Sequence, residues 1–233
     1  MNAKRGYVPE DEKNFSDPAI QIMKKASAHV CYLIHEGYDL KSASTFAGNH
    51  FVLSERQRLA VVRSVATDEQ LSARKAKEKT SLEGAEVWID GFNTVITLEV
   101  MFSGSILFEC MDETVRDLAA LRGTYRIIPE TEKAVRALFD TLKEQNIKTA
   151  HILLDEPVSN SGRLKTLIAE IGEGYPFGLD IRILKAVDSA LWDKDNVITT
   201  DSIILDRCTG WFNLTKICVK KHGAKTVCVW EKE

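Results

Sequence analysis

The chain lacks most of the signatures that would settle its chemistry quickly. It has five cysteines, Cys31, Cys110, Cys208, Cys218 and Cys228, and no two form a C-x-x-C pair, which argues against a zinc site. An odd, widely spread set fits a reducing cytoplasm, and a cytoplasmic location is expected. There is no G-x-G-x-x-G and no P-loop lysine motif, so a nucleotide-cofactor enzyme is not indicated. There is no G-x-S-x-G or Cys/His signature of a side-chain nucleophile. The five histidines show no ligand spacing, and His29 and His35 read as ordinary helix positions. The longest apolar stretch, around 95–108, is interrupted by Glu99 and Gly104 and is not a membrane span. No basic segment followed by an apolar run opens the sequence, so no signal peptide is expected.

With 233 residues the chain could form one large domain or two small ones. The net charge of −3 hides an asymmetry: residues 1–80 hold 13 Lys+Arg against 10 Asp+Glu, and the remainder holds 18 against 24. The acidic part is a poor general nucleic-acid surface unless divalent cations offset its charge, whereas the mildly basic part could contact phosphates or be a solvated face.

Residues 1–16 are polar and are expected to be a flexible terminus. Asp17-Pro18 reads as an N-cap followed by proline at the first helical position. Ile20, Met23, Ser27, Val30 and Ile34 then recur at helical spacing up to Gly37. A short helix is expected at about 40–47. Ser54 with Gln57, and Thr67 with Gln70, resemble capping boxes opening helices to about Val65 and Lys79. Residues 17–79 therefore read as an all-α domain. From Thr80 the pattern changes. Strands are expected near 85–90, 149–154, 180–186, 195–199 and 225–230, and helices near 130–145, 162–172 and 210–221. Asn93 begins a further stretch read as a helix toward Met101, with a turn at 103–105 and a strand at 106–109. Such alternation implies βαβ units, hence an α/β domain over 85–233 with a central, mainly parallel sheet between helical layers.

Four hydrophobic runs end in an aspartate: Val87-Trp88-Ile89 in Asp90, Ile152-Leu153-Leu154 in Asp155, the run 181–187 in Asp188, and Val197-Ile198-Thr199-Thr200 in Asp201. Parallel strands finish on one edge of the sheet, where ligands bind. Four carboxylates gathered there repel unless a cation lies between them, and hard oxygen ligands suit Mg²⁺ or Mn²⁺. Taken singly, each acid has a structural explanation as a turn or N-cap residue; the conjunction favours a metal site.

In these features residues 85–230 resemble the PIN-like nuclease superfamily, specifically its NYN branch. Asp90-Gly91-Phe92-Asn93 matches that family's Asp-Gly-x-Asn, Leu153-Leu154-Asp155 its second acidic strand, Val187-Asp188 its third acid, and Thr199-Thr200-Asp201 its Thr-Ser-Asp. Gly223-Ala224 precedes the expected last strand. There are three departures: about 58 residues separate Asn93 from the second strand, Ser189 stands where a second acid commonly follows, and Thr200 replaces a serine. Helices followed by a PIN-like domain also resemble an uncharacterised prokaryotic two-domain family. The resemblance implies a metal-dependent ribonuclease in which Asp90, Asp188 and Asp201 ligate Mg²⁺ or Mn²⁺ and Asp155 completes the cluster. Asn93 and Thr200 would support the acids. Ser159, Asn160, Ser161 and Arg163, at the expected start of a helix, would meet a substrate phosphate or serve as a simple cap.

The implied partner is RNA, with no membrane involved and with a second copy or a protein partner on the helical domain. Among the basic residues there, Arg74, Lys75, Lys77 and Lys79 form a cluster near the domain junction. Glu99, Asp112, Glu113, Asp117 and Asp206 are further acids, Arg116 and Arg122 further cations, and Trp192 and Trp211 candidates for stacking on bases or for packing. An alternative function is a catalytically degenerate binding module of the same fold. A haloacid-dehalogenase-type phosphatase needs a second Asp two residues after the first, and that position is Phe92.

Overall fold

A computed structural model describes residues 4–119 and 123–231. Its first half is helical: α1 (Asp11–Asn14), α2 (Asp17–His35), α3 (Leu40–His50), α4 (Glu55–Ser64) and α5 (Asp68–Lys77). Both capping boxes form, with Ser54 and Thr67 accepting from the amides of Gln57 and Gln70 and receiving the reciprocal glutamine contacts. The cap of α2 is Ser16, with Asp17 and Pro18 in its first turn. Met23, Ser27 and Val30 turn inward as the helical period requires; Met23 and Val30 join Ala43, Ala47, Ala60 and Val61 in one core, and the Ser27 hydroxyl donates to the Val229 carbonyl at 2.7 Å.

The second half is α/β. β1 (Glu86–Asp90), β4 (Thr149–Asp155), β5 (Gly178–Leu184) and β6 (Val197–Ile198) form a sheet in the order β5-β4-β1-β6, and every pair is parallel. The helices are α6 (Gly91–Phe102), α7 (Pro129–Glu144), α8 (Ser161–Gly172), α9 (Val187–Leu191), α10 (Ser202–Arg207) and α11 (Leu214–Lys221). Strand residues alternate between two cores. Val87, Ile89, Ala150, Ile152 and Leu154 face α6, α7, α8 and α11, whereas Leu153 and Val197 face α9 and α10. The expected mixed α/β architecture after an all-helical part is observed.

Several boundaries differ from expectation. The 225–230 strand does not form. Val227 makes a single parallel bridge to Phe108, its amide donating to the Leu107 carbonyl at 2.8 Å and its carbonyl accepting from Glu109 at 3.0 Å. The 106–109 strand reduces to β2 (Phe108–Glu109), paired antiparallel with β3 (Val115–Arg116). The last helix starts at Leu214, because 210–212 is extended and Trp211 bridges both Val197 and Glu78. Residues 4–16 are anchored rather than loose: Phe15 is buried, Asp11 pairs with Arg56 at 2.6 Å, and Arg5 pairs with the buried Glu99 at 2.7 Å.

The two halves share a core and a charge network. Phe108, Leu118 and Val229 pack into the helical cluster. Of the basic cluster at the junction, Arg74, Lys77 and Lys79 fasten the two halves, whereas Lys75 is exposed and pairs with Glu78 at 2.8 Å. Buried Arg74 donates to Asp206 and Asp112, both at 2.6 Å. Lys77 donates to the Leu205 carbonyl at 2.7 Å, and Lys79 pairs with Asp195 at 3.0 Å. Asp112 also accepts from Arg116 at 2.5 Å and from the Thr114 hydroxyl at 2.6 Å. Burial alone would raise its carboxyl; Arg116, Thr114 and Arg74 together hold it below the ordinary range.

Removing one member of such a network leaves buried charge uncompensated, which costs about 3–5 kcal/mol. Asp112→Asn is expected to lose stability of that order in urea unfolding near neutral pH. The difference should shrink as pH falls below about 4, where the wild-type carboxyl gives up its ionised advantage. An unchanged unfolding midpoint would contradict the network's role.

Candidate functional site

Four adjacent parallel strands each deliver one acid to the same edge. Asp90 is the last residue of β1, and Asp155 the last of β4. Asp188 follows β5 in the first turn of α9, and Asp201 follows β6 as the N-cap of α10. The Asp-Gly pair has a steric reason. Gly91 opens α6 against β4, where a Cβ would lie 2.8 Å from the Leu153 carbonyl oxygen and 2.6 Å from a Leu154 methyl. Only glycine lets the helix start this close to the neighbouring strand. Phe92 is buried against Tyr125, with ring centroids 5.1 Å apart, so it does no polar chemistry.

Threonines and an asparagine tie two of the acids together. The Thr199 hydroxyl donates to Asp90 Oδ2 at 2.9 Å and accepts from the Asp201 amide at 3.0 Å. Asn93 Oδ1 accepts from the Thr200 amide at 2.8 Å and its hydroxyl at 3.0 Å. Asp201 Oδ1 accepts from the amides of Ile203 and Ile204. The Asn93 and Thr200 side chains therefore bond each other rather than the acids, and only the backbone amide of Asn93 reaches Asp90, at 3.4 Å. Thr199 was missed by sequence reasoning, although its hydroxyl bridges both acids; the Thr-Thr-Asp run was its signal.

The four acids interact through space. Burial pushes the Asp90 carboxyl from near 3.8 to about 7, opposed by the Thr199 hydroxyl and reinforced by Asp201, Asp155 and Asp188. Asp155 and Asp188 are also raised, by burial first and then by Asp188 and Asp201 respectively. Among the described residues, no three His, Cys, Asp or Glu side chains already form a closed metal-ligating group. The donor chemistry nonetheless fits a hard divalent cation: the donors are carboxylate oxygens, and Asp90 resists ionisation in part because of the other three acids.

Beside this edge lies a cleft of about 330 Å³ between the halves. Asn93, Asp117, Thr200 and Asp201 line one side; Leu40, Leu59, Val62 and Arg63 line the other. Asp117 is buried and accepts from the Thr97 hydroxyl at 2.7 Å, so of the additional acids it joins the cleft. Glu99 is instead held by Arg5, Tyr125 and Thr131, and Glu113 pairs with Lys216. Arg116 donates to the Thr200 carbonyl at 2.6 Å; Arg122 lies outside the described residues.

Other expectations place differently. Ser159 and Asn160 fasten the Tyr125 backbone, with the Asn160 amide donating to its carbonyl at 2.6 Å, and neither lines the cleft. Ser161 begins α8 and Arg163 is exposed on it, also outside the cleft. Trp211 is buried with its indole donating to the Arg74 carbonyl, so it packs. Trp192 stacks under Arg207 at 4.0 Å. Ser189 donates to the Ala186 carbonyl.

A carboxyl raised on folding contributes stability that is complete below about pH 4 and is lost as pH climbs through about 7, here about 4 kcal/mol. In metal-free buffer near pH 8, Asp90→Asn is therefore expected to melt about 8–16 °C above wild type. The gap should narrow as pH falls below about 7 and close only below about pH 4, and a difference independent of pH would refute the coupling.

Comparison with known proteins places the chain without assigning chemistry. Residues 22–77 match the family described as protein of unknown function DUF434, and residues 79–217 the domain of unknown function DUF5616. The boundary between the matches falls where α5 gives way to the segment leading into β1. An uncharacterised protein of Methanocaldococcus jannaschii is 36% identical over 185 residues, covering 78% of this chain and 88% of the relative. No solved structure matches. Since the second match takes in more than half of the sequence, the chain belongs to the DUF5616 family.

Proposed function

We propose that the protein is a metal-dependent phosphodiesterase, a ribonuclease of PIN-like type. The observation that carries this reading is Asp90: a buried carboxyl at a strand end, raised to about 7 by burial and by the acids at the ends of the other three strands of the sheet. Structural aspartates seldom gather this way, and perturbed acids in a cluster beside a cleft mark functional sites. Asp90, Asp188 and Asp201 would hold Mg²⁺ or Mn²⁺, with Asp155 completing the set. A divalent ion there supplies a water of lowered pKa and charge stabilisation at the scissile phosphate. Thr199 orients Asp90 and Asp201, Asn93 holds Thr200, and Arg116 braces the Thr200 carbonyl beside Asp201. No helix among the described residues is long and apolar enough to cross a membrane. Exposed Tyr32, Tyr38 and Phe46 on the helical half are where a second copy or a protein partner would sit.

Calorimetric titration with Mn²⁺ is the direct test. Wild type is expected to bind and the double variant Asp90→Asn, Asp201→Asn to show no heat of binding. Cleavage of single-stranded RNA should need the metal and vanish in the double variant. Metal binding without cleavage would favour the degenerate binding module, and no binding by wild type would sink the metal reading.

Thr199 supports two acids at once, and losing such a group typically costs about 10–100-fold in metal affinity. Thr199→Val is expected to weaken Mn²⁺ binding by that factor, with its unfolding midpoint compared to confirm an intact fold. Wild-type affinity in this variant would remove Thr199 from the site.

A further inference from the structure

The cleft between the halves has two unlike walls. α3, α4 and the residue after it present Leu40, Leu59, Val62 and Val65; the α/β half presents Asp201 of the acidic edge with Asp117, Asn93, Thr200 and Ser202. The volume of about 330 Å³ lies in the range of about 300–1,000 Å³ typical of sites for one small molecule. Three arginines line it, and two are fully committed. Arg74 is buried on Asp112 and Asp206, and Arg116 on Asp112, the Thr200 carbonyl and the Arg63 carbonyl. Arg63 is different. Its side chain is 33% exposed, it donates to the Asp117 carbonyl, and the Asp117 carboxylate is 3.8 Å away. That carboxylate is itself engaged by the Thr97 hydroxyl and the Ala119 amide. Arg63 therefore keeps donors for an anion, on the wall facing Asp201.

We propose that this cleft seats one unpaired nucleotide of an RNA strand, its base against Leu59, Val62 and Val65 and its phosphate between Arg63 and the acidic edge. This rests on the phosphodiesterase reading and adds how the strand is held: an unpaired nucleotide seated against the apolar wall of the helical half, with Arg63 on its phosphate. An apolar wall opposite an anion-binding arginine complements a nucleotide, which has one flat apolar part and one charged part. A paired base is stacked on both neighbours and enters a walled cavity only by extrusion, at a cost of a few kcal/mol. Arg63 also relieves the repulsion between an incoming phosphate and Asp117 and Asp201.

The test is fluorescence anisotropy with a short labelled oligoribonucleotide, a duplex of the same sequence, and a free mononucleotide as competitor, in Ca²⁺ buffer. The full chain is compared with Arg63→Ala and Val62→Phe, the latter filling the apolar wall. Wild type is expected to bind the single strand at least about tenfold more tightly than the duplex or mononucleotide, and each variant to weaken strand binding about tenfold. Mn²⁺ calorimetry should be unchanged in both variants, which also reports that they fold; if Arg63→Ala does not fold, Val62→Phe decides. Equal affinity for the duplex or mononucleotide, variants that bind like wild type, or no strand binding at all would each overturn the proposal. Retained Mn²⁺ binding with no strand binding removes this inference and leaves the carboxylate reading intact. Strand binding sensitive to both substitutions without Mn²⁺ binding does the reverse.

Discussion

Asp112, held between the guanidiniums of Arg74 and Arg116, fixes how the helical half meets the sheet. Arg74 belongs to α5, Arg116 to β3, and the acid lies in the turn between β2 and β3. Each of the three is nearly inaccessible to water, so the geometry must be met together or not at all. A buried ion network is a poor source of net stability, since desolvating the charges offsets much of their attraction. Its effect is on register. With Arg74 also on Asp206 and its carbonyl accepting the Trp211 indole, α5 cannot slide relative to α10 or to the extended segment beside β6 without stranding a charge.

That constraint matters because the acidic edge alone favours spreading. The sheet places four carboxylates side by side, and Gly91 allows α6 to close against β4 so that Asp90 is buried rather than solvated. Burial and like charge then act in the same direction on Asp90, and only the Thr199 hydroxyl opposes them strongly. Solvent eases part of that repulsion at the other end of the cluster. Here the exposed members, Asp188 and the half-buried Asp155, sit at the far end of the cluster, and the buried member is central to it.

Much of this was legible in the sequence, for identifiable reasons. The capping boxes at Ser54 and Thr67 were readable because they are complete within four residues, as was the helical stripe of Met23, Ser27 and Val30. The acids were readable because each ends a hydrophobic run, and a parallel sheet converts that into a common edge. What escaped reading depends on distant partners. The residues from Arg74 to Lys79 looked like a surface patch, since Asp112, Asp195 and Asp206 stand more than 30 positions away. The 225–230 run has strand-like composition, but only Val227 finds a strand neighbour, at the short β2, so no ladder grows. Between adjacent threonines, sequence offset favoured Thr200, whereas the chain's path after β6 turns Thr199 toward Asp90 and Thr200 toward Asn93. The polar run at 159–161 reads as a phosphate contact or a simple helix cap, and its Ser159 and Asn160 hold the Tyr125 backbone, a distant partner that the local pattern does not reveal.

The link between the two halves and the acid cluster runs through one peptide group. The carbonyl of Thr200 accepts from Arg116 at 2.6 Å, and the amide of the same peptide, on Asp201, donates to Thr199 at 3.0 Å. A peptide group is planar, so fixing its oxygen and its nitrogen from opposite sides fixes its orientation. Asp201 follows directly, with its carboxylate further held by the first amides of α10. Arg116 owes its position to Asp112, and Asp112 shares its charge with Arg74 of the helical half. The placement of Asp201 therefore depends on a residue of α5 through three contacts in series. A helical half that only tethered a substrate would not need that connection. One that forms a wall of the same cleft does, because the wall and the carboxylate must then hold a common spacing.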